Sequence, residues 1–78
     1  MTAETIEAVI RVEPRRPFRI VLDDGEEVIV LQPRKASVSG PTVSCVGISR
    51  RGDSTEAAAR LRLFPVERVV TVEYILPN

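Results

Sequence analysis

The chain has no histidine and no tryptophan, and only one cysteine and one methionine in 78 residues. Without histidine there is no Ser-His-Asp or Cys-His catalysis, and a lone cysteine supplies neither a disulfide nor a zinc cage. Aromatics are nearly absent as well. Phe18, Phe64 and Tyr74 are the whole set, so large rings do not dominate the core. Net charge is zero, which excludes a uniformly basic nucleic-acid binder. The longest aliphatic run, residues 28–31, is the length of a strand, far below the ~20 apolar residues of a membrane-spanning helix. Glu4 and Glu7 stand where a secretory signal places basic residues before an apolar block. A cytoplasmic address without membrane association is therefore expected, in keeping with the unpaired thiol.

What is present fits one domain spanning residues 1–78. Below roughly 70 to 80 residues a single core supplies only about 3 to 5 kcal/mol unless disulfides, metal, association or dense packing help it. Association is the remedy this composition leaves open. In residues 2–12, Ala3, Ile6, Val9 and Ile10 recur at helical spacing, with Thr2 as N-cap, Glu4 near the positive end and Glu7 four residues before Arg11. Pro14 stops this helix near Val12.

Beyond Pro17 the period changes to two. Phe18, Ile20 and Leu22 alternate, Asp23-Asp24-Gly25 interrupts, and residues 27–32 resume as a strand. A two-residue turn at Asp24-Gly25 would set Asp23 against Glu26, a repulsive cross-strand pair. A three-residue loop with left-handed Gly25 avoids this and pairs Ile20 with Val28 and Phe18 with Val30. Pro33 bends the second strand, which continues weakly through Ala36 and Val38 to a turn at Ser39-Gly40-Pro41. Residues 42–48 form a third strand. The polar stretch 49–56 reads as a loop, leading through alanines 57–59 either into a helical turn or directly into a fourth strand over 59–63. Pro65 ends that strand, and residues 69–76 form the fifth.

The expected fold is thus mainly β (α+β): an N-terminal helix and a five-stranded antiparallel meander curled into a small, partly open barrel. Helix, strand, Asp-Gly turn, bent strand, strand, loop, strand, short turn and strand, in that order, resemble the Sm-like small-barrel family, which includes bacterial RNA chaperones. With the segment Arg15-Arg16-Pro17-Phe18-Arg19-Ile20, the pattern is also similar to a group of short bacterial proteins of unassigned function. The Sm-like resemblance implies ring formation by edge-strand pairing and RNA contact. The stretch Gln32-Pro33-Arg34-Lys35-Ala36-Ser37 matches the family's base-binding segment but holds no Asp or Asn, so no base pocket is carried over.

Zero net charge hides a segregation of sign. Residues 34–62 are net positive, with Arg34, Lys35, Arg50, Arg51, Arg60 and Arg62 as candidate phosphate contacts, while residues 1–33 are net negative. Arg51-Gly52-Asp53 reads as turn chemistry. Asp23, Asp24, Glu26 and Glu27 read as a solvated hairpin tip that lacks calcium-loop spacing, and Cys45, alternating with Val43, as a small buried hydrophobe. No catalytic site, metal site or cofactor is implied. The expected function is a non-enzymatic, homo-oligomeric interaction or scaffold module that pairs through edge strands at Leu61, Leu63, Val70, Val72 and Tyr74, with an RNA-binding ring as the alternative.

Overall fold

Thr2 starts the helix α1 (Ala3–Arg11): its hydroxyl oxygen accepts from the Thr5 amide at 3.2 Å, Glu4 lies in the first turn, and Arg11 in the last turn pairs with Glu7 at 3.0 Å. Only Ile6 and Ile10 of this helix are buried, the two positions that its apolar stripe turns toward the sheet. The computed structural model describes residues 1–75.

Period-two patterning then builds a hairpin from β1 (Phe18–Leu22) and β2 (Glu27–Val30), in the expected register: Phe18 opposite Val30 and Ile20 opposite Val28. The Leu22 amide donates to the Glu26 carbonyl at 2.8 Å and the Gly25 amide to the Leu22 carbonyl at 3.0 Å, leaving Asp23, Asp24 and Gly25 as the loop. Gly25 has φ +88°, a conformation that side-chain-bearing residues rarely adopt. The pairing stops at Val30, Pro33 opens a short 3-10 turn, Pro33–Lys35, and the chain re-enters the sheet as β3 (Ser37–Ser39).

The long strand β4 (Thr42–Arg51) organises the rest. Its residues 42–44 pair with both β3 and β6 (Arg60–Pro65), and its Arg50 pairs with both Glu27 of β2 and Thr55 of β5 (Ser54–Thr55). β4 thus has partners on both sides at each of its ends. Gly47 sits where β2 crosses closest: a Cβ there would lie 2.6 Å from Val28 Cγ1 and 3.0 Å from the Ile29 carbonyl oxygen. β7 (Val69–Tyr74) returns to lie against β1, and the path through the sheet is β3-β4-β2-β1-β7, all antiparallel, with β5 and β6 also on β4. The result is a curled, open half-barrel following one helix.

Two expectations change here. Residues 49–51 continue β4, and Ser54 and Thr55 hairpin back onto it, so the polar stretch is largely strand with Arg51-Gly52-Asp53 at its tip. Cross-strand bonding to β2 holds these residues extended despite their polarity. Ala57 and Ala58 only bend; they take neither the helical turn nor the strand. β7 reaches Tyr74, and Leu76, the expected end of that strand, lies outside the described residues.

Phe18, Ile20, Val28, Val30, Val43 and Cys45 form the centre of the core, joined by Ile6 and Ile10 from the helix. The helix is held along β7 at both ends: the Met1 amine reaches the Val69 carbonyl at 3.5 Å and the Tyr74 hydroxyl donates to the Val9 carbonyl at 3.0 Å.

Candidate functional site

Two strands end the sheet with one side free. Among the described residues β6 pairs only with β4, and β7 only with β1. Each is six residues long, whereas β3 and β5, with three and two residues, are too short to template another chain. On β6 the register sets Phe64 opposite Val43 and Arg62 opposite Cys45, so these two face inward and the leucines between them face out. Leu61 and Leu63 are 62% and 63% exposed. On β7, Val70 is 59% exposed beside an irregularity in the pairing with β1, while Val72 and Tyr74 pack against the core. The expected interface residues thus divide into three that are presented to solvent and two that face inward.

The inward face of β6 carries a second feature. Glu26, expected on a solvated tip, is only 3% exposed. Its carboxylate accepts from both terminal nitrogens of Arg62, from the Ser49 hydroxyl and, at 3.4 Å, from Arg51. The Arg62 hydrogen bonds, with those from Ser49 and the charge of Arg51, outweigh burial and hold the Glu26 carboxyl down at about 2. Asp24 is lowered to about 2 as well, chiefly by the Glu26 backbone amide at 3.0 Å and then by Arg51 at 2.8 Å. Arg62 and Arg51 are raised in turn, each first by its carboxylate hydrogen bond. A carboxylate ionised this firmly is an anchor; a general base works nearer the operating pH. A polar hollow of about 390 Å³ lies beside the cluster, lined also by Ser54, Thr55, Glu56 and Arg60.

The six expected phosphate contacts do not converge on one surface. Arg51, Arg60 and Arg62 meet at this hollow, Arg50 lies by Glu27 at 3.8 Å, and Arg34 and Lys35 stand on the 3-10 turn near Arg15. Arg60 is paired with Glu56 at 2.8 Å, so four of the six already meet carboxylates. Cys45 is fully buried, and burial pushes its thiol up to about 11, which leaves it inert. Among the described residues no three His, Cys, Asp or Glu side chains converge to hold a metal ion, and no helix is long and apolar enough to cross a membrane.

The burial of Glu26 was signalled only by its even spacing from Val28 and Val30, the inward positions of β2. Arg62 carried no comparable signal, because its direction is set by the long-range register of β6 on β4. Comparison with known protein families, curated proteins and solved structures found no match.

Proposed function

We propose that this chain is a non-enzymatic interaction or scaffold module that assembles with copies of itself through its two free edges, β6 of one copy pairing with β7 of the next. One observation carries the reading: among the described residues the open sheet ends in two strands of equal length, each with one side unpaired, and the exposed aliphatic side chains Leu61, Leu63 and Val70 stand on those strands. Pairing removes two hazards together, since it satisfies edge amides and carbonyls and takes aliphatic surface out of water. Because the two edges are unlike, the contact is head-to-tail, and repetition closes a ring when the rotation per subunit permits. Such rings are what an Sm-like arrangement of strands implies.

Light scattering at micromolar concentration tests this. The wild-type chain is expected at a multiple of its single-chain mass, and Leu61→Lys with Leu63→Lys at the single-chain mass with an unchanged circular dichroism spectrum. A single-chain mass for the wild type sinks the proposal. The RNA-binding alternative has less support. Arg50, Arg51, Arg60 and Arg62 are engaged with carboxylates, so phosphate contact falls to Arg34 and Lys35 unless those ion pairs open. Retention of single-stranded RNA that weakens steeply with salt, and is lost on Arg34→Ala with Lys35→Ala, would favour it over a protein scaffold.

A further inference from the structure

The outer face of the sheet carries an apolar groove of about 260 Å³ running between β2 and β4. Ile29 and Ile48 are direct cross-strand partners, so they stand on the same face, and Val46 lies two residues from Ile48 on that face. Leu31, 56% exposed, and Ala59 close the groove at its rims. A sheet face turned to water ordinarily alternates with polar residues; here its centre is aliphatic.

The charge beside the groove is the second observation. Lys35 lines it, and Arg34 adjoins Lys35 on the same turn. Nearly every other cation in the molecule has a partner: Arg11, Arg15, Arg19, Arg50, Arg51, Arg60, Arg62 and Arg68 each lie within 4.0 Å of a carboxylate, and Arg16 sits 4.3 Å from the centroid of Tyr74. Among the described residues Arg34 and Lys35 are the cationic side chains that have neither. A chain that neutralises most of its arginines internally has left one positive charge uncompensated in the lining of its recessed aliphatic surface and a second on the adjoining residue.

We infer that this groove docks an acidic amphipathic helix of another protein, whose aliphatic side chains fill it while its carboxylates meet Lys35 and Arg34. Strand addition is disfavoured here: β2 is bonded to β1 and β4, and the stretch of β4 without a partner on that side, residues 45–47, is too short to template another chain. What remains is recognition by side chains entering a groove, the mode in which a helix supplies anchors at i, i+3 or i+4 and i+7. RNA fits less well, since no aromatic ring lines the groove to stack a base. The inference does not rest on edge pairing.

Selection of short random peptides on the immobilised full chain, followed by NMR of the enriched peptides bound to it, tests this. Enriched peptides are expected to carry aliphatic residues at helical spacing with Asp or Glu beside them, and to shift Ile29, Val46 and Ile48. Leu31→Ser and Lys35→Glu, both at exposed positions, should each weaken binding by about tenfold or more. The proposal is overturned by enriched peptides without an acidic preference, by binding that both variants leave intact, or by shifts confined to Leu61 and Leu63. It is equally overturned if no peptide enriches, or if these groove residues respond instead to dilution of the chain alone, to single-stranded RNA or to anionic vesicles.

Discussion

The two free edges of the sheet are built differently. β7 is braced from behind by packing: Val69 is buried, Tyr74 is bonded to the helix backbone, Arg16 lies over the Tyr74 ring, and Glu73 is tied to Arg19 at 3.1 Å. Among the described residues no α-helix is bonded to β6 as α1 is to β7. Its six-residue ladder to β4 is backed by Phe64 and by one buried ion pair, Glu26 with Arg62, and the leucines it turns outward have no covering. One edge is held mainly by packing and presents one exposed aliphatic residue, Val70; the other leans on a buried ion pair and presents two, Leu61 and Leu63. In the proposed assembly, pairing of these unlike edges gives a head-to-tail chain of contacts, whereas pairing of like edges would give a twofold dimer.

The largest effect comes from removing the anchor of β6. Glu26→Ala leaves the Arg62 guanidinium, 17% exposed, without its main carboxylate, a loss of about 3 to 5 kcal/mol for a broken buried pair. Urea unfolding measures the loss, and amide hydrogen exchange locates it: β6 should exchange faster while β7 lags. Equal acceleration at both edges would mean that they are not independently supported.

Acid titrates the same anchor. The Glu26 carboxyl falls from an ordinary 4.5 to about 2 in the fold, so below pH 4.5 the unfolded chain takes up the proton first and stability declines until about pH 2. The loss is on the order of 3 kcal/mol. Asp24 acts in the same direction between its ordinary 3.8 and about 2. Above pH 5 neither group gives a slope. Thermal melts of the wild type and Glu26→Gln across pH 2 to 6 should show the wild-type decline flattened in the variant; parallel curves would contradict the anchor.

Gly47→Ala tests the crossing that both edges share. The new Cβ meets Val28 Cγ1 and the Ile29 carbonyl, and a backbone oxygen yields poorly, so about 1 to 3 kcal/mol of stability should be lost with β2 and β4 loosening together. Tyr74→Phe is milder. It removes the hydrogen bond to the Val9 carbonyl, worth roughly 1 kcal/mol, and should loosen α1 from β7 without touching β6.

The parts of this architecture that rest on local chemistry were legible in the sequence. The β1–β2 register follows from the repulsion that a tighter turn would force between Asp23 and Glu26, and from the left-handed glycine in a three-residue loop. Thr2 as cap and Cys45 as core residue follow equally from near neighbours. What stayed hidden depends on distant pairing. Four acids around one turn read as a wet tip, and only the arrival of Arg62 from β6 makes burial of Glu26 tolerable. Leu61 and Leu63 are expected at an edge, but their outward direction is set by the pairing of β6 with β4, in which Phe64 takes the inward position opposite Val43. Residues 49–55 lack an apolar alternation, so their strand character comes from their partners.

Head-to-tail edge pairing is tested most directly by mixing two variants that each spoil one edge: Leu61→Lys with Leu63→Lys on β6, and Val70→Lys on β7. These exposed positions should change the stability of the single chain by no more than about 0.5 kcal/mol. Each variant alone is expected at the single-chain mass. An equimolar mixture should give a heterodimer and nothing larger, joined by the intact β6 of one variant and the intact β7 of the other. If the Val70→Lys variant alone keeps the wild-type assembly, or if the mixture stays at single-chain mass, the two edges do not recognise each other.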